Sequence, residues 1–215
     1  GERIYEFKPI EVSQYCQTML YSHADRVLIL SATILDKDVY CESVGIKKDD
    51  VAFLRIPSPF DPKNRPVHFF PVGSMSKANI DATLPHMVNI IKMLLEQHPN
   101  DKGIIHCVNY RIAEHLLREI GPKRLLTHSS DDRQEVINFH LESKEPTVLL
   151  SPSMMEGVDL ADNASRFQIL CKIPFPYLGD AAVQARMAIN PQWYLYQTVK
   201  SVVQSLGRSI RNEND

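Results

Sequence analysis

The chain has no closely spaced pair of cysteines. Its four, Cys16, Cys41, Cys107 and Cys171, are scattered along 215 residues. That excludes a zinc or iron–sulfur ligand set and reads as free, buried thiols in a reducing compartment. No apolar run reaches membrane-spanning length and the start shows no signal-peptide pattern, so an intracellular protein that does not engage a membrane is expected. Positive charge is not in excess either. Twenty-four Lys and Arg against 26 Asp and Glu give a formal net charge of -2, which excludes a freestanding nucleic-acid binder that works by bulk basicity and leaves room for a local basic face. There is no Gly-rich loop closing in Gly-Lys-Thr or Gly-Lys-Ser, hence no phosphate cradle of that kind. No Asp-Glu motif ends an apolar strand to hold magnesium, and no metal site is expected.

What is present reads as alternating strands and helices. A chain of this length with 44% hydrophobic and 23% charged residues can bury one good core and a small subdomain. Continuous apolar runs at Arg26–Leu30, Gly103–Val108, Arg124–Thr127, Thr147–Leu150 and Arg166–Ile173 have the character of strands buried on both faces of a parallel sheet. Shorter strands are expected around Phe53–Ile56 and Val67–Phe70, flanking a loop held extended by Pro57, Pro59, Pro62 and Pro66. Helices are predicted over residues 9–22, 36–43, 79–97, 110–120, from Ser130, over 180–188 and over 191–211. The fold class is α/β, a parallel sheet with helices on both faces. Residues 1–35 form a lead-in helix and strand and residues 36–215 the main domain.

The closing helix carries the most suggestive spacing. Val199, Val203, Leu206 and Ile210 form a stripe for the core. Gln204, Arg208 and Arg211 stand at i, i+4 and i+7, one amide and two guanidiniums on a neighbouring face, with Gly207 baring the backbone between them. Two planar, permanently charged forks one turn apart suit a polyphosphate; a solvated helix end with Arg near its C-terminus is the plain alternative.

Ligands of open parallel sheets sit beyond the carboxyl ends of the strands. After the fourth apolar run comes Ser151-Pro152-Ser153-Met154-Met155-Glu156-Gly157-Val158-Asp159-Leu160, where hydroxyls, two carboxylates and a glycine cluster. Ser31-Ala32-Thr33 offers two hydroxyls after the first run. His106-Cys107 resembles a phosphatase loop at first sight, but only three residues separate Cys107 from Arg111, so Cys107 is read as a buried strand residue and His128 as a structural histidine.

Taken in order, these stretches resemble one family. Ser31-Ala32-Thr33 is similar to motif III of superfamily 2 helicases, Ser153 to Leu160 to motif V of the XPD/DinG-type branch, and Gln204 to Arg211 to its motif VI, Gln-x-x-Gly-Arg-x-Ile-Arg. Lys172-Ile173-Pro174-Phe175-Pro176 resembles that branch's Leu-Pro-Phe-Pro segment, and Gly103 to Leu117 its motif IV region. Met155 stands where the family often has Ser, and Leu160 replaces an aromatic residue.

The resemblance implies the second, C-terminal RecA-like domain of an ATP-dependent 5′-to-3′ DNA helicase, taken as a fragment or separately expressed domain. It implies Arg208 and Arg211 as the catalytic arginines that reach the γ-phosphate. Gln204, Gly207, Glu156, Gly157 and Asp159 are then ATP-site residues, and Ser31, Ala32 and Thr33 the interdomain coupling element. Single-stranded DNA would be contacted from Asn109, Tyr110, Thr127, Ser151 and Ser153. ATP and Mg2+ would be held mainly by an N-terminal RecA-like domain, which would also carry the family's iron–sulfur cluster. The chain alone is expected to be inactive, and the protein monomeric. The alternative is a non-catalytic RecA-like nucleic-acid-binding or regulatory module.

Overall fold

The computed structural model describes residues 9–152 and 160–209. The chain divides into two compact units, one of Gly1–Ile56 and Pro174–Gln204, the other of Pro57–Ile173 and Ser205–Asp215.

The second unit holds the sheet. Its strands are β1 (Gly103–His106), β2 (Leu125–Leu126), β3 (Val148–Ser151) and β4 (Phe167–Leu170). All pair in parallel, in the order β2-β3-β1-β4, with Ile105 in register with Leu150 and Ile169. Because side chains alternate across a strand, each apolar run supplies two cores. Ile105, Cys107, Val148, Leu150 and Leu125 face α3 (Ile80–Gln97) and α4 (Tyr110–Ile120), meeting Leu84, Met87, Ile91, Ile112 and Leu116. Ile104 and Leu149 face the other way, onto Ile137 of α5 (Arg133–Glu142) and onto Leu160. Helices therefore cover both faces, as the run pattern predicts.

Arg124, just before β2, ties these layers at their amino edge. Its guanidinium donates to four carbonyls: Pro146 at 2.8 Å, Leu95 at 3.0 Å, and His98 and Asp101 at 2.8 Å each. The last turn of α3 leaves its carbonyls without helical partners, and a cation there satisfies both the hydrogen bonds and the helix dipole. Gly103 opens β1 for a different reason. A Cβ there would sit 2.5 to 2.7 Å from the Phe167 ring, which itself stacks on His98 at 4.7 Å. Gly103→Ala is expected to cost about 2 kcal/mol of unfolding free energy by overpacking. A shifted urea midpoint would show it, and Phe167→Leu in the same chain should recover most of the loss.

The regular elements of the first unit, in its described part, are helices, chiefly α1 (Ser13–Met19), α2 (Lys37–Ser43), α6 (Ala181–Ile189) and most of α7 (Pro191–Leu206). Asp36 and Asp180 cap α2 and α6, accepting from Val39 N–H at 2.9 Å and Ala182 N–H at 2.7 Å. Arg186 of α6 lies 4.5 Å over the Trp193 ring of α7.

Three expectations are corrected. Arg26–Leu30 is not a buried strand: it is extended with no ladder partner, and Leu28 and Leu30 are each 81% exposed. Among the described residues all the strands lie between residues 103 and 170, in the other unit, so the described part of its own unit gives this run no sheet to join. Residues 53–56 and 67–70 are likewise extended without pairing, with Leu54 and Phe69 exposed. The closing helix stops at Leu206, and Gly207 and Arg208 form a turn in which Arg208 N–H meets the Ser205 carbonyl at 3.3 Å. Its buried side also differs from the expected stripe. Val199 is 44% and Val203 37% exposed, whereas Trp193, Tyr196, Thr198 and Ser205 are buried. The two large aromatics set the rotation, since they bring the most area and Tyr196 Oη finds the Ile34 carbonyl at 2.7 Å.

Candidate functional site

In the second unit the carboxyl ends of the strands gather polar groups on the face that carries Ile104 and Leu149. His106 ends β1, Ser151 ends β3 and Gln168 stands in the middle of β4, all pointing to that side by the strand alternation. His106 and Ser151 are buried. Beyond His106 the chain turns sharply into α4 through Val108, which holds φ 68°, a left-handed conformation rare for a β-branched residue. Asn109 then caps α4, its side-chain oxygen accepting from Ile112 N–H at 2.9 Å. Strain at a strand end that re-aims a helix start marks a turn whose geometry matters more than its local energy.

A chain of hydrogen bonds crosses this edge, each group donating to the next. His106 Nε2 pairs with Gln168 Oε1 at 3.1 Å; Gln168 Nε2 donates to Ser209 Oγ at 2.8 Å and to the Leu206 carbonyl at 3.1 Å. Ser209 Oγ donates to Ser165 Oγ at 2.7 Å, and Ser165 Oγ to the Phe167 carbonyl at 3.2 Å. Since the Gln168 amide nitrogen is committed to two acceptors, its oxygen faces His106, which must carry its proton on Nε2. The Arg208 carbonyl also accepts from Leu160 N–H at 3.3 Å. The turn that bears Arg208 is thus tied to β4 and to the segment leading into it. Among the described residues the Arg208 guanidinium has no hydrogen-bond acceptor and no carboxylate partner. Burial holds the His106 imidazole below its ordinary value; the Gln168 hydrogen bond opposes this in part, and the Arg208 charge adds a smaller lowering effect. His106 is therefore a neutral donor, and a cation stands nearby. Such an edge can hold an anion.

The cysteine next to it does not act as a nucleophile. The neighbouring Cys171 thiol, and then burial, push the Cys107 thiol up from its ordinary value, and both side chains are buried. His128, after β2, is buried with Nδ1 paired to the Ser129 carbonyl at 3.0 Å.

The first unit brings together a second group. Thr33 is buried, its backbone N–H meets Ser31 Oγ at 3.1 Å, and its hydroxyl accepts from Gln204 Nε2 at 3.1 Å. Residues 171 positions apart are joined by that bond. Ser31, Ala32, Thr33 and Gln204 are thus one local cluster, with Tyr196 on the next carbonyl, Ile34.

Several expected residues fall elsewhere. Ser153, Glu156, Gly157, Asp159 and Arg211 lie outside the described residues. Arg208 is described, but Gly207 and Arg208 follow the helix rather than continue it, so Gln204 and Arg208 do not share a helical face. Of the expected DNA contacts, Tyr110 and Thr127 are exposed, the Asn109 side chain is engaged as a helix cap, and Ser151 is buried. Gln168 and Ser209 were not anticipated. The one readable signal was Gln168 itself, a lone amide inside the apolar run Phe167-Gln168-Ile169-Leu170. No three His, Cys, Asp or Glu side chains converge as metal ligands among the described residues. The four cysteines are all buried and free, two in each unit, and do not fit an iron–sulfur cluster.

Residues 107–215 match the family model described as helicase C-terminal domain. The chain belongs to this family. Over its full length it is 27% identical, across 238 aligned residues, to the ATP-dependent DNA helicase DinG of Photobacterium profundum. It is 33% identical over 73 residues to the regulator of telomere elongation helicase 1 homologs of Aedes aegypti and Culex quinquefasciatus, a match covering 28% of this chain and 7% and 8% of theirs. The chain spans 34% of the length of the DinG relative. No helix among the described residues is long and apolar enough to cross a membrane.

Proposed function

We propose that this helicase C-terminal domain is one half of an ATP-driven motor of the 5′-to-3′ XPD/DinG type. In this reading Arg208, with Arg211, reaches across a cleft to the γ-phosphate of ATP held by an N-terminal RecA-like domain. There a guanidinium fork offsets the charge that spreads over the transferring phosphoryl oxygens. The observation that carries it is the Arg208 guanidinium, without a partner among the described residues, on a turn tied by hydrogen bonds to the sheet. Gln204, bound to Thr33, couples the arginine segment to the Ser31–Thr33 element, so that closing and opening of the nucleotide cleft moves the strand-end loops. Those loops, at Asn109, Tyr110 and Thr127 and at Ser151 and Ser153, track single-stranded DNA through its phosphates, while Glu156, Gly157 and Asp159 belong to the nucleotide side of the cleft.

The exposed extended run Val27–Leu30 supports a partner domain, since an apolar strand left in water has more to gain from another sheet than from solvent. Mg2+ would be held by that domain together with the ATP phosphates.

The chain alone is expected to bind ATP no tighter than millimolar in a calorimetric titration, because half of its site is elsewhere. The full-length protein is expected to hydrolyse ATP only when single-stranded DNA is present. Micromolar binding by the chain alone would instead mark a self-contained nucleotide site and overturn the motor-half reading.

A further inference from the structure

Resting on the motor-half reading, we infer that Gln168 is a positioning residue for Arg208, and that His106, Gln168, Ser209 and Ser165 act as one relay that sets where the guanidinium points. Three observations carry this. First, Gln168 bonds both sides of Arg208 in the chain, the Leu206 carbonyl at 3.1 Å and Ser209 Oγ at 2.8 Å, so the turn is gripped from one strand residue. Second, every link has a fixed donor sense. His106 gives to Gln168, Gln168 to Ser209, Ser209 to Ser165 and Ser165 to the Phe167 carbonyl. The Gln168 amide nitrogen is given to two acceptors, so its oxygen takes the His106 Nε2 proton, and the other ring nitrogen, Nδ1, is buried without a hydrogen-bond partner. Third, the relay starts at the residue that enters the strained Val108 turn. The aim of Arg208 and the entry into α4 thus share one anchor.

A side chain that has left its helix has few constraints of its own. Arg208 follows the last helical residue, Leu206, and its guanidinium finds no partner among the described residues. Its aim is set by the backbone turn alone, and that turn is held by Gln168 and by Leu160 N–H. A shift of about 1 Å in a group that acts on a transition state costs on the order of 10²-fold in rate, so a relay with no contact to the nucleotide can govern turnover.

The test uses the full-length protein and its DNA-stimulated ATP turnover, in wild-type and Arg208→Ala backgrounds. Gln168→Met, which keeps the length and removes the amide, is expected to lower kcat roughly 10-fold or more with nucleotide KM changed less than about twofold. In the Arg208→Ala background the same change is expected to cost nothing further, since what it positions is gone. His106→Gln, which keeps a donor, is expected to retain most turnover where His106→Leu loses it. Equal losses from Gln168→Met in both backgrounds would mean a general structural role and overturn the inference, as would wild-type turnover in Gln168→Met. Ser209→Ala, milder and nearer the surface, gives the same two-background comparison should Gln168→Met fail to fold. Wild-type turnover in Arg208→Ala itself would instead overturn the motor-half reading on which the inference stands.

Discussion

In the full-length protein, Arg208→Ala is expected to lower DNA-stimulated ATP turnover by roughly 10³-fold, with nucleotide affinity little changed. The size follows from the role. A cation that meets charge only as the phosphoryl group moves contributes to kcat and not to ground-state binding. Arg208→Lys is expected to recover little, because an ammonium cannot present two parallel donors to phosphate oxygens. Arg211→Ala, three residues on, should behave alike. The measurement is steady-state turnover with saturating single-stranded DNA, read as separate kcat and KM. Rates within about twofold of wild type for both arginine variants would remove the arginine-finger assignment.

The second large effect is on stability. Arg124→Met is expected to destabilise the sheet-bearing unit by about 3 kcal/mol. The aliphatic stem is kept, so the loss comes from four carbonyls, those of Leu95, His98, Asp101 and Pro146, that surrender a charged donor together. Their separation along the chain matters. Leu95 and His98 close α3, Asp101 leads into β1, and Pro146 leads into β3. One side chain therefore replaces the hydrogen bonding of a helix end and two strand entries. Urea unfolding of this chain followed by circular dichroism would report it. A midpoint unchanged from wild type would show that water satisfies these carbonyls as well as the guanidinium does.

The sheet and its covering helices were legible in the sequence because each rests on a local pattern. Ile104-Ile105 and Val148-Leu149-Leu150 are continuous apolar runs, and two-sided burial is what such runs require. The same reasoning went astray at Arg26–Leu30, since an apolar run states that a strand seeks cover and not which sheet supplies it. In α7 the expected stripe took Val199 and Val203 and passed over Trp193 and Tyr196, whereas packing follows area and the reach of the Tyr196 hydroxyl. In the candidate site Arg208 stood out by residue type, but its i, i+4 spacing from Gln204 does not hold as a shared helical face, because α7 ends at Leu206. Gln168 did not stand out, because its partners lie 38 to 62 positions away, and side-chain bonds over such separations leave no periodic trace.

The left-handed Val108 has a consequence for how this unit opens. A valine at φ 68° stores on the order of 1–3 kcal/mol, within a total stability of about 5–15 kcal/mol for a domain. Releasing the turn returns that energy, so its amides should exchange with solvent through smaller excursions than those of β1, one or two residues away. Rigidity in this unit is then expected to fall off abruptly at the edge of the sheet, within a residue or two of His106.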